Sequence, residues 1–187
     1  EGIEIGPDGA VYVIDENRGQ SDGVGGGIYK FVPDRRGDLS SGDLYVLGVD
    51  GGIEGVGQGA WLGPIDPANA AAAGTDAGGT GYQRPEDLEI IGHVLYAAVT
   101  EGTRTGGREA YDGRVLAIDL TSMAVSDFVK PGVNAPVEIN GTQTGLDNPD
   151  NLAEGPDGRL WIVEDNVPSD IWVAEGRGAR ARSIELF

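Results

Sequence analysis

Apolar positions along the chain fall into short runs separated by Gly, Pro and Asp, and three of these clusters repeat one another. One copy runs from Glu1 to Glu16 (EGIEIGPDGAVYVIDE), a second from Glu86 to Glu101 (EDLEIIGHVLYAAVTE) and a third from Asp150 to Asp165 (DNLAEGPDGRLWIVED). Each copy is an acidic residue, a short strand, a turn, a second strand rich in Val, Ile, Tyr or Trp, and a closing acid. The turn is Gly6-Pro7-Asp8-Gly9 in the first copy and Gly155-Pro156-Asp157-Gly158 in the third. Pro presets its φ, Asp can bond its own backbone and Gly supplies the left-handed position, so the pattern predicts β-hairpins. A third apolar strand follows each hairpin, over residues 27–33, 113–120 and 169–174, and a fourth lies over 43–49, 125–130 and 182–187. Three units of four antiparallel strands predict an all-β chain that forms part of a β-propeller. Strands nearest the propeller axis are buried on both faces, which accounts for the continuous apolar runs at 10–14 and 160–163.

Between the first two units lies a Gly/Ala-rich insertion at about 51–83. Its run 67–73 is a candidate short helix, but the flanking glycines favour an irregular excursion, and a long loop of this kind is expected to act as a lid on the functional face. Propellers have about four to eight blades, and three leave open sheet edges. Residues 1–187 are therefore expected to be one partial propeller domain whose partner is the remainder of the ring, on another segment or chain. The start without Met and the end inside a strand point the same way.

Charge and composition narrow the function classes. With Asp+Glu 31 against Lys+Arg 13, the formal net charge is −18, which removes broad pairing with nucleic-acid phosphates. The absence of Cys excludes disulfides, zinc ribbons, iron–sulfur ligation and thiol nucleophiles here, and a single His cannot build an imidazole cluster. No apolar run reaches the roughly 18 residues that a membrane span requires.

The candidate chemistry lies at the hairpin ends. A hairpin returns its two ends to one side of the sheet, so Glu1 approaches Asp15 and Glu16, Glu86 approaches Glu101, and Asp150 approaches Glu164 and Asp165. Blades related by rotation about one axis place these acids at one end of the central channel. Converging carboxylates repel unless cations neutralise them, and an oxygen-only ligand set suits calcium first, with magnesium, manganese or ferric iron behind it. The competing reading is a set of solvated strand-end charges, against which stands the recurrence at matched positions. Arg84, in QRPED, is the natural anion reader, unless it merely pairs with a channel carboxylate. Asn151 and Thr100 complete a polar rim or serve as strand-end hydrogen-bond partners. His93 falls in a turn at the opposite end. No P-loop, EF-hand or glycine-rich calcium repeat is present, and Asn140-Gly141-Thr142 is a glycosylation sequon.

Taken in order, GGIYKFVPD, LSSGDLYVLGVDG, RPEDLE, YDGRVLAIDL and DNPDNLAEGPDGRLWIVEDN resemble the PhoX family of alkaline phosphatases over most of the chain, the insertion being least matched. The resemblance implies a six-bladed propeller exported by bacteria, hence periplasmic or extracellular, that hydrolyses phosphate monoesters with calcium and iron in its central channel. Carried over by motif, Glu86 of RPE is a metal ligand and Arg84 is the catalytic group that holds the substrate phosphate. Asp150 of PDNL is a further ligand, and Glu1 aligns loosely with an acidic position before the first hairpin. With the repeat, the expected metal set is Glu1, Glu16, Glu86, Glu101, Asp150 and Asp165, and Asn151 joins Arg84 as a substrate contact. Two departures matter. The family's upstream cysteine and paired glutamates are absent, and its Asn-rich ending of the second hairpin is replaced by Val99-Thr100-Glu101-Gly102, so this segment alone should not hold a complete iron site. The rival expectations are a non-enzymatic calcium-binding propeller in an extracellular assembly, and a calcium-dependent lactonase or esterase that has no need of Arg84.

Overall fold

The computed structural model describes residues 2–17, 25–101, 113–139 and 143–187. Glu1 and the sequon Asn140-Gly141-Thr142 lie outside the described residues. The architecture is all-β and forms part of a propeller. Its first blade contains β1 (Ile3–Ile5), β2 (Val11–Ile14), β3 (Ile28–Arg35) and β4 (Asp38–Val49), each antiparallel to the next. The second contains β6 (Pro85–Ile91), β7 (Val94–Val99), β8 (Arg114–Asp119) and β9 (Ala124–Val129), and the third β10 (Pro149–Glu154), β11 (Leu160–Glu164), β12 (Ile171–Glu175) and β13 (Ser183–Leu186). All twelve expected strands are present.

The two Gly-Pro-Asp-Gly turns form alike. Gly9 donates to Gly6 O at 2.9 Å and Gly158 to Gly155 O at 2.9 Å, with φ of 85° and 75°. Asp8 Oδ1 accepts from the Ala10 amide and Asp157 Oδ1 from the Arg159 amide, both at 3.1 Å. The local chemistry thus fixes the register of both hairpins, and register decides which side chains face inward.

The insertion departs from expectation. It contains a fifth strand, β5 (Gly57–Ile65), followed by a 3-10 turn (Pro67–Asn69) and the short helix α1 (Ala70–Asp76). Strand β4 is longer than the sequence pattern indicates, and β5 pairs along it from Leu44↔Ile65 to Val49↔Gly59. The start of β5 also pairs with β9 through Gly57↔Val125 and Gln58↔Ala124, so the outer edges of the first two blades join in a nine-stranded sheet. Asp66 caps the 3-10 turn by accepting from the Ala68 amide at 2.9 Å, beside Pro67 at the first helical position.

Two cores lie between the three blades. Tyr12, Ile28 and Leu47 of the first blade pack against Leu88, Leu95 and Leu116 of the second. On the other side, Tyr96 and Phe128 pack against Leu160, Ile162 and Trp172 of the third, the Tyr96 and Phe128 ring centroids being 4.6 Å apart. Each fully buried large side chain contributes roughly 1.5–3 kcal/mol. Strand β7 serves both cores, and all six of its residues are buried. Rigid sheets on both sides therefore hold the strand ends where the acids emerge.

Candidate functional site

At the channel end of the hairpins, Gly2, Glu16, Arg84, Glu86, Asp87, Asp150, Asn151 and Asp165 line a cavity of about 390 Å³. Arg84 is its centre. Its Nε lies 2.6 Å from Glu86 Oε1 and donates to Glu16 Oε1 at 3.1 Å, its Nη2 donates to Asp165 Oδ2 at 2.9 Å, and its Nη1 is 3.9 Å from Glu101 Oε1. One guanidinium therefore ties together acids from all three hairpins. Burial opposes its charge, but Asp165, Glu16 and Glu86 outweigh burial and raise the Arg84 pKa above its ordinary value.

The backbone beneath Arg84 is unusual. Its φ is 53°, a left-handed conformation that costs a non-glycine residue roughly 1–2 kcal/mol. The Arg84 amide donates to Asn17 O at 3.0 Å, and Arg84 O accepts from the Thr100 amide at 3.0 Å, which holds the conformation from both sides. In the third repeat the matched residue before proline is Asn148, with φ 48°, and Asn148 O accepts from the Asp165 amide at 3.0 Å. Asparagine tolerates this region and arginine does not, so the repeat keeps a shared backbone device while one copy uses it to aim a cation.

The remaining acids divide by position. Burial, then Asp165, raises the Asp150 pKa from its ordinary value, with Arg84 working in the opposite direction. Negative charge is thus costly at Asp150. Asp165, by contrast, has 53% of its side chain exposed. Its neighbour Glu164 turns away from the cavity into the blade, where it accepts from Trp172 Nε1 at 2.8 Å and from the Asp147 amide at 2.8 Å. Of the two acids closing the third hairpin, only Asp165 reaches the site. Thr100 is buried and donates to Pro149 O at 2.8 Å, so it is a strand-end hydrogen-bond partner and not part of the rim. His93 lies in an exposed turn with Nε2 3.6 Å from Asp119 Oδ2, as its sequence position indicates.

The structure thus brings Glu16, Glu86, Glu101, Asp150, Asp165, Arg84 and Asn151 to one end of the fold. Asp87 is an addition that the sequence reading does not single out: it lines the cavity, and its Oδ2 accepts from the Leu152 amide at 2.9 Å, linking the second and third blades. Its signal is the repeat, since Asn151 occupies the matched place in the third copy. The donor set is oxygen-only, which fits a hard cation by class. The spatial grouping is incomplete: among the described residues no three acidic side chains gather closely enough to hold a metal ion, because Arg84 sits between them. Among the described lining residues there is also no Ser, Thr, Cys or His to serve as a nucleophile.

Comparison with known proteins agrees with the fold. No curated protein sequence matches. A solved structure, Pseudomonas fluorescens PhoX in complex with vanadate, a transition state analogue, superposes with a TM-score of 0.66 at 21% identity, covering 100% of this chain and 43% of that one. The chain therefore spans less than half the length of that relative, and at this identity the likeness concerns the fold. The family model for alkaline phosphatase PhoX matches residues 6–179, a span that runs from the turn of the first hairpin through the whole of the second and third and includes Arg84, and the chain belongs to the PhoX family.

Proposed function

We propose that the intact protein hydrolyses phosphate monoesters at this cavity and that Arg84 holds the phosphoryl group. The observation that carries this reading is a single guanidinium, aimed by a strained backbone, among carboxylates from three hairpins. Family membership supports it, as does the vanadate held by the related PhoX. The two edges of the guanidinium differ. Nε faces Glu16 and the buried Glu86, which orient the side chain. The Nη edge faces Glu101 at 3.9 Å and the exposed Asp165, contacts that an incoming phosphate can displace to form a bidentate fork.

A phosphate dianion entering beside six carboxylates and one arginine is repelled unless further positive charge is present. Calcium is the cation whose ligand chemistry this oxygen set matches; Glu86, Asp150 and Asp165 would each contribute donors singly, with the rest of the coordination supplied by the remainder of the propeller. When bound, a hard cation polarises a phosphoryl oxygen as a Lewis acid. Iron is assigned no ligand among the described residues. Residues 1–187 form one partial propeller domain on this reading, and the periplasm or the extracellular medium is where phosphate esters would be met. Among the described residues no helix is long and apolar enough to cross a membrane.

Glu86→Gln tests the assignment. It should lower calcium occupancy and p-nitrophenyl phosphate hydrolysis together, each by about tenfold or more; wild-type values of both would sink it. A second reading, a calcium-stabilised propeller without catalysis, is favoured by the engagement of Arg84 with carboxylates on both edges. It predicts that calcium raises Tm through binding to the folded state while no ester turns over.

A further inference from the structure

A second cavity, of about 300 Å³, opens between α1 and the first blade. It adjoins the arginine site through the chain itself. Asn17 lines this cleft and Glu16 lines the site, so their α-carbons are about 3.8 Å apart. The Arg84 amide also donates to Asn17 O at 3.0 Å, which makes one short segment the shared wall. The other lining residues include Val46, Ala71, Ala72 and Gly79, so the walls are small and mixed in polarity.

The polar group inside is Tyr29. The residue is 5% exposed, and its hydroxyl, which opens onto the cleft, makes no hydrogen bond among the described residues. Burial, with Asp15 adding to it, pushes the phenol up to about 12, so at neutral pH it is a protonated donor. The hydroxyl sits where only glycines leave room: a Cβ at Gly27 would lie 2.7 Å from it and one at Gly74 3.4 Å. Asn69, at the N-terminal end of α1, also lines the cleft and makes no side-chain capping bond. A hydroxyl that opens onto a cavity next to a phosphoryl site, with no partner among the described residues, points to a hydroxylated ligand.

We propose that this cleft receives the alcohol portion of the phosphate ester and selects a small polyol or sugar group, with Tyr29, Asn17 and Asn69 hydrogen-bonding its hydroxyls. The proposal rests on the phosphatase reading above. With the phosphoryl group at Arg84, the alcohol would reach the cleft across the Glu16-Asn17 segment that walls both cavities. The cleft is at the lower end of ligand-pocket volumes, which suits a glycerol or single-sugar group and not an extended chain. A site built to bond a hydroxyl discriminates against an analogue without one, because its own polar groups are then left unpaired.

The test is kcat/KM of the intact, calcium-loaded protein for glycerol 1-phosphate and for phenyl phosphate, in wild type and in Tyr29→Phe. The ratio of the two constants should fall about tenfold in the variant, the size of one lost hydrogen bond. Asn69→Ala, at an exposed residue, should move the same ratio in the same direction and serves if Tyr29→Phe does not fold. Turnover of both esters with an unchanged ratio in both variants overturns the subsite and leaves the phosphatase reading intact. No turnover of either ester by wild type removes the phosphatase reading, and the subsite with it.

Discussion

Alternation along a strand explains why neighbouring acids have different roles. Successive strand residues point to opposite sides, so only one of Glu164 and Asp165 can face the channel. The sequence pattern brings both to the hairpin end but does not choose between them. The choice comes from Trp172, whose indole N–H draws Glu164 inward. Burial raises the Glu164 pKa from its ordinary value of 4.5 to about 7 despite the bonds from Asp147 and Trp172. The folded state therefore holds this proton where the unfolded chain has lost it, and stability falls as pH rises from about 4.5 to about 7. Thermal melts across that range with chelator present should show the decline, and Glu164→Gln should flatten it; an unaltered slope would mean that Glu164 does not titrate in this way. At Arg84 the sequence indicates the residue and its charge partners, whereas its left-handed backbone is visible only in the structure and, by homology within the repeat, at Asn148.

Among the elements, the hairpins were legible because their turn chemistry is local: proline, aspartate and glycine each satisfy one stated requirement of the turn. Strand β5 was not, since Gly57, Gly59, Gly63 and Pro64 lower its β propensity, and it forms through pairing with β4 and β9. Tertiary contact overrides the local signal there. The insertion is fixed to the second blade by a buried ion network: Arg114 Nη2 donates to Glu54 Oε2 at 2.8 Å and to Glu54 O at 2.7 Å, and Nη1 donates to Asp127 Oδ1 at 3.0 Å. Tyr82 adds its ring face to the Arg114 guanidinium and donates its hydroxyl to Gly55 O at 2.9 Å. Removing the Arg114 cation leaves Glu54 without its ion pair and Asp127 with Lys130 alone, at 3.0 Å. Arg114→Leu should cost about 3–5 kcal/mol in a urea titration; a loss below about 1 kcal/mol would show that the insertion is held by its strand pairing alone.

For the whole molecule, three blades share two cores, and the central blade is covered on both faces. The outward faces of the other two are apolar in part. Ile3 and Ile5 on β1 are 63% and 71% exposed, and Phe187, whose ring lies 4.7 Å from that of Trp161 between centroids, is 79% exposed. These are the surfaces on which we propose that the remaining blades pack, which also brings the further ligands that the described acids lack. The net charge of −18 on residues 1–187 favours cations over anions near this chain. The central claim is that Arg84 and a calcium-dependent acidic cluster form a phosphoryl site, and the most direct measurement is p-nitrophenyl phosphate hydrolysis by the intact protein, wild type and Arg84→Ala, during calcium titration. The account predicts calcium-dependent turnover in wild type and at least a hundredfold loss of kcat/KM in the variant at saturating calcium. Turnover that ignores both calcium and Arg84, or none in the fully calcium-loaded wild type, would contradict it.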